Sequence, residues 1–124
     1  MKTYTNNSGT YCLLLNHGKQ IIPTQKIRYI EGEGNYSTLN IDGGGKLISS
    51  FTLRLFNDHL KSQTYFFSPR KGLLINLYYL KEIKVSGGLY YAKLRRGDLL
   101  QLSRRRGKAL IEYINANNWN IPVN

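Results

Sequence analysis

Turn-forming clusters recur along this chain at Asn16-His17-Gly18, Gly32-Glu33-Gly34, Gly43-Gly44-Gly45, Gly87-Gly88 and Arg96-Gly97-Asp98, each between short apolar or alternating runs. Glycine supplies the positive φ that tight turns need, and the runs between the clusters have strand length. Strands joined by such short turns pair antiparallel, because a parallel pair needs a crossover of about a dozen residues or more. The pattern therefore predicts a mainly β fold, small antiparallel sheets packed as an elongated sandwich. The strands expected are Tyr11 to Leu15, Lys19 to Ile22, Lys26 to Glu31, Tyr36 to Ile41, Lys46 to Ser50, Lys81 to Val85, Leu89 to Arg95 and Leu99 to Leu102.

Two stretches change period. Leu53, Phe56 and Leu60 recur at helical spacing between Thr52 and Lys61, with Ser50 or Thr52 as candidate N-cap. Arg104 to Asn115 carries an apolar face of Leu110, Ile111 and Ile114, and Ser103 stands before it as an N-cap. Two short α-helices complete the expected fold, and the tail through Trp119 and Pro122 is expected to be irregular.

A chain of 124 residues, 41% of them hydrophobic, holds one core and folds as one globular unit. Residues 1–24 are expected to add a strand pair to a domain spanning 25–124. Apolar runs such as Leu13 to Leu15 fall far short of the ~20 residues of a membrane helix, and no apolar stretch follows Lys2 as a signal peptide would require, so a cytoplasmic protein is expected. The lone Cys12 permits no internal disulfide and, among leucines, reads as a small core residue.

Catalysis and metal binding both lack their residue sets. The histidines, His17 and His59, have no companion at ligand or general-base spacing, and the seven carboxylates are scattered. No catalytic residue, metal site or cofactor is expected. Gly43-Gly44-Gly45 is not a phosphate cradle, since no Gly-Lys-Ser/Thr sequence opens a helix after it.

Charge points instead to a polyanion. The formal net charge is +11, and between Arg70 and Lys108 eleven basic residues face two acidic ones. Two clusters concentrate the excess. Arg70-Lys71 sits between Pro69 and Gly72, with apolar anchors on both sides, and reads as a charged loop on a rigid base. Arg104-Arg105-Arg106 occupies the first turn of a helix, where each cation opposes the macrodipole by about 0.3–1 kcal/mol. A phosphate at that terminus would reverse the sign, accepting hydrogen bonds from free N–H groups while the arginines flank it or reach a base edge. The alternative is a non-specific polyanion or RNA-binding module that stacks bases on tyrosines, although Tyr78, Tyr79, Tyr90 and Tyr91 read more simply as sheet-packing residues.

Four ordered segments also resemble the LytTR-type DNA-binding domain, an output module of bacterial response regulators. Ile27 to Tyr36 is similar to its "yIEa.gnY" segment, Ser50 to Leu60 to its short helix, Phe66 to Ile83 to "FfrvHRSylVNl.yI..I", and Leu102-Ser103-Arg104-Arg105 to its "vSRr" lead-in to the last helix. The resemblance implies a transcription regulator that inserts loops and a helix N-terminus into successive major grooves of double-stranded DNA. The operator would consist of direct-repeat half-sites bound by a homodimer. Base-facing positions would fall on Tyr36, Arg70, Lys71 and Arg105, and phosphate contacts on Asn35, Ser37, Arg104, Arg106 and Lys108. Asn76 would be structural, satisfying backbone groups. The chain departs from the family at Arg70-Lys71-Gly72, where His-Arg-Ser is common, and at Pro69. No receiver domain is expected within it, so its input would come from a separate regulatory or sensor protein.

Overall fold

The computed structural model describes residues 1–124. Three antiparallel sheets and two helices follow in chain order. Strands β1 (Lys2–Thr5), β2 (Tyr11–Leu15) and β3 (Gln20–Pro23) form the first sheet, so the expected N-terminal strand pair is in fact three strands. β1 escapes a periodicity reading because Lys2 to Thr5 is polar and mostly exposed; it forms by pairing with the apolar β2.

The second sheet combines β4 (Ile27–Glu33), β5 (Tyr36–Ile41) and β6 (Gly45–Ser49) with β7 (Phe66–Arg70) and β8 (Leu73–Asn76), in the order β6-β5-β4-β8-β7. Between β6 and β7 the chain makes α1 (Leu53–Leu60), whose N-cap Thr52 accepts a hydrogen bond from the Leu55 N–H. The third sheet, ordered β11-β10-β9, contains β9 (Leu80–Ser86), β10 (Leu89–Leu94) and β11 (Leu99–Leu102). Ser103 then caps α2 (Arg104–Ala116) by accepting from the Arg106 N–H at 3.2 Å.

The central sheet is buried on both faces. Tyr29, Leu73 and Ile75 on one side meet Ile83, Ala92, Leu94 and Leu102 of the third sheet and Leu110 and Ile114 of α2. Ile30, Leu39 and Leu74 on the other meet Leu13 and Leu15 of the first sheet and Phe56 and Leu60 of α1. Successive side chains of a strand point to opposite faces, so Leu73-Leu74-Ile75 is apolar without interruption because each face of β8 lies in a core. Asn76, at the end of this run, is fully buried; its Nδ2 donates to the Ile27 carbonyl at 2.9 Å and its Oδ1 accepts from the Tyr78 N–H at 3.0 Å. It is the structural residue that the sequence led one to expect.

The tail differs from expectation. Ile83 N–H donates to the Pro122 carbonyl at 2.9 Å, Asn124 N–H to Ile83 at 2.8 Å and Val85 N–H to Asn124 at 2.7 Å, which lays the last residues parallel to β9. The reason is the unpaired edge of β9, whose backbone groups the tail satisfies.

Gly107 fixes how closely α2 approaches the third sheet. A Cβ there would lie 2.9 Å from Cβ, Cγ and Cδ2 of Tyr90, so the helix backbone rests on the tyrosine ring. Gly107→Ala gains about 1 kcal/mol of helix propensity and suffers an overpacking cost of about 1–3 kcal/mol. Denaturant unfolding should therefore give a net loss of roughly 1 kcal/mol; a more stable variant would show that the contact relaxes freely.

Candidate nucleic-acid interface

β4 and β5 join through a two-residue connection between the paired Glu33 and Tyr36, with Gly34 at φ +65°. Glycine at the first central position is what a hairpin turn of this length requires. Asn35 and Tyr36 are exposed at this tip, and the Tyr36 hydroxyl donates to Glu33 Oε2 at 2.8 Å, a bond that raises the tyrosine's pKa. Ser37 faces inward instead. It is fully buried and donates to the Phe51 carbonyl at 2.9 Å, so the expectation of a phosphate contact is corrected: alternation along β5 turns its side chain away from the surface.

The Arg70-Lys71 segment is also more ordered than a charged loop. β7 runs through Arg70, with a register irregularity between Phe67 and Arg70 that accommodates Pro69, which has no N–H to pair. Only Lys71 and Gly72 form the turn, and Gly72 has φ +80° at the second central position, where a type II turn calls for glycine. Lys71 is exposed and its ammonium has no protein partner. The Arg70 guanidinium, by contrast, donates through Nε to the Gln101 carbonyl at 2.9 Å and through Nη1 to the Lys71 carbonyl at 3.2 Å, and its Nη2 lies 3.5 Å from Glu31 Oε2.

At the start of α2 the three arginines divide. Arg106 donates from Nε to the Ser68 carbonyl at 3.0 Å and its guanidinium lies 4.9 Å from the Phe67 ring centroid, so it straps the helix to β7. Phe67 and Tyr113 pack at 5.2 Å alongside. Only Nε donates in that strap; the residue is exposed and its two Nη groups make no hydrogen bond or ion pair within the protein. Arg104, Arg105 and Lys108 are exposed and unpaired, and since Arg106 has no acidic partner either, all three arginines oppose the helix dipole.

These elements are neighbours. Gly32 N–H donates to the Gly72 carbonyl at 2.9 Å, joining the β4–β5 tip to the β7–β8 turn, and Arg70 joins that turn to the end of β11, two residues before the α2 cap. One end of the molecule therefore carries Tyr36, Asn35, Lys71, Arg104, Arg105 and Lys108. Sequence reasoning missed Glu31 and Gln101, whose partner Arg70 lies in another segment, and Glu33, which holds the hydroxyl of Tyr36 across the hairpin turn.

Elsewhere four of the twelve cations have an acidic partner. Across the β10–β11 turn Arg28 pairs with Asp98 at 2.8 Å and Arg96 with Asp42 at 3.2 Å, while Lys84 and Lys93 both approach Glu82 at 3.9 Å. Tyr29 beneath this region has its pKa pushed up to about 12 by burial first and by the charges of Asp98 and Glu31 after it, so it is a neutral phenol at physiological pH. The tyrosines are mostly tied into the fold: Tyr90 lies against Gly107, the Tyr79 hydroxyl donates to the Gln25 carbonyl, and Tyr78 packs against Tyr65 and Trp119.

No group of three or more His, Cys, Asp or Glu is gathered at one place. A concavity lined by Met1, Leu14, His17, Ser49 and Phe51 among others lies between the first sheet and the end of β6. No helix is long and apolar enough to cross a membrane.

Comparison with known proteins adds three findings. A family model described as the LytTr DNA-binding domain matches residues 7–115. A solved structure, the LytTr DNA-binding domain of a methyl-accepting/DNA response regulator from Bacillus cereus, superposes with a TM-score of 0.68 at 15% identity, covering 83% of this chain and 95% of that one. No curated protein matches the sequence.

Proposed function

The chain belongs to the LytTR DNA-binding family, non-enzymatic domains that bind DNA as output modules of transcription regulators, and from that premise we propose that it reads double-stranded DNA sequence-specifically with the cationic end of the molecule. The observation that carries this is the side-by-side placement of the Lys71-Gly72 turn and the α2 N-terminus, each presenting an unpaired cation. Lys71 and Arg105 reach base edges in the major groove, Tyr36 approaches from the neighbouring hairpin, and Arg104, Lys108 and Asn35 meet phosphates. Arg is suited to a bidentate contact with guanine, and a helix N-terminus is suited to a phosphate. Two copies occupy the two half-sites of a direct repeat, as the resemblance to the family implies.

Selection of bound sequences from random duplex DNA tests this. Enrichment of a motif repeated at about one helical turn is expected. Affinity for the selected duplex should fall about 10³-fold between 50 and 200 mM salt if about six phosphates are contacted. Failure to enrich any motif, with single strands preferred, would sink the reading and favour a non-specific module.

A further inference from the structure

Arg70 is the most obvious base reader on this surface, yet each nitrogen of its guanidinium faces a protein acceptor. A guanidinium has five N–H donors in a rigid planar fork. Here Nε is bonded to the Gln101 carbonyl, Nη1 to the Lys71 carbonyl, and Nη2 faces the Glu31 carboxylate. The three acceptors lie on β11, on the β7–β8 turn and on β4. The side chain is about one-third exposed, 34%. Gly72 lies close beneath it, since a Cβ at that residue would be 3.9 Å from Nη1. A bidentate contact with guanine would need two adjacent donors, and swinging the fork outward would break at least two of these contacts.

We propose that Arg70 is a positioning residue: it clamps the β4–β5 hairpin, the Lys71-Gly72 turn and the β11–α2 junction at the spacing that fits one half-site, and Lys71 is the cation of that turn that touches DNA. This rests on the proposed reading surface. The exposed ion pair with Glu31 contributes little energy by itself; the clamp lies in the two backbone carbonyls, 31 residues apart in the first case, that one planar group bonds at once. A lysine, a point charge with rotatable donors, cannot span them. The Gly32 N–H bond to the Gly72 carbonyl supplies the second tie between the hairpin and the turn, and Arg106 ties α2 to Ser68 of β7, but no hydrogen bond other than that of Arg70 joins the turn to Gln101.

The test uses the full chain with Arg70→Ala, Arg70→Lys, Glu31→Gln and Lys71→Ala, each measured on the selected duplex and on a panel with every half-site position substituted in turn. Arg70→Ala and Arg70→Lys should both lose roughly 10- to 100-fold in specific affinity. The loss of preference should spread over positions read by more than one element, while the salt slope stays within about half an ion of the parent. Glu31→Gln should lose less, about 2- to 5-fold, and add nothing in the Arg70→Ala background. Rescue by Arg70→Lys together with a salt slope lowered by about one ion in Arg70→Ala would make Arg70 a phosphate contact and overturn the proposal. Loss of preference at a single base pair would make it a base reader and overturn it equally. If Lys71→Ala binds like the parent, the assignment of the turn's DNA contact to Lys71 fails. If Arg105→Ala is also neutral, the reading surface itself fails, which separates the two levels of the argument.

Discussion

Replacing Lys71 and Arg105 together by alanine should lower affinity for the selected duplex by about a thousandfold at fixed salt. Each contact with a base edge is worth about 1–3 kcal/mol, and two at the middle of that range make ~4 kcal/mol, where every 1.4 kcal/mol is tenfold. The fold should be untouched, because both side chains are exposed and neither makes a hydrogen bond or ion pair within the protein. Circular dichroism and thermal unfolding of the double variant should therefore match the parent. A charge-matched control, Lys19→Ala with Lys46→Ala, removes two cations from the β2–β3 turn and from β6, away from the proposed surface. If the control loses as much as the double variant, net charge governs binding and the location of the surface is wrong.

Asn76→Ala should cost about 3 kcal/mol of stability and lower the melting temperature by roughly 10 °C for a domain of this size. The side chain is fully buried and answers two backbone groups, the Ile27 carbonyl at the start of β4 and the Tyr78 N–H in the short 3-10 turn Leu77–Tyr79. Alanine leaves both without a partner and opens a void, and a buried polar group left unsatisfied costs about 1–3 kcal/mol. Asn76→Asp keeps the acceptor toward Tyr78 but turns a second oxygen toward the Ile27 carbonyl, so it should not restore stability. Differential scanning calorimetry checks both; an Asn76→Ala variant melting within 2 °C of the parent would show that water replaces the side chain. The consequence for function is indirect, since Asn76 locks the strand whose other end carries the Lys71-Gly72 turn.

Much of the fold is legible locally. The turns at Gly34, Gly72 and Gly87-Gly88 mark themselves by residue type, and the change of period at Leu53 and Leu110 marks the helices. Thr52 and Ser103 are recognisable caps because the bond each accepts comes from an N–H three residues on. Similarly, the family resemblance is carried by short ordered segments. The candidate site was legible only in part. Lys71, Arg104 and Arg105 stand where the charge pattern places a cationic surface, whereas Ser37 turned inward and Arg106 became a strap, since the face a side chain takes depends on sheet register and helix docking.

By itself, then, the sequence determined that the chain pairs antiparallel, where it turns, which helices it makes and that its excess charge lies in the second half. Those properties arise from interactions within a few residues, and such interactions leave a period or a residue type behind. Only the tertiary structure decided that three sheets stack with the central one buried on both faces, that the tail covers the edge of β9, and that the clusters around residues 70 and 105 meet. The bonds that join them, from Arg70 to Gln101 and from Arg106 to Ser68, span 31 and 38 residues and end on backbone carbonyls, which every residue possesses. An acceptor common to all residues carries no signature in the sequence, so the spacing of the surface is a property of the packed molecule.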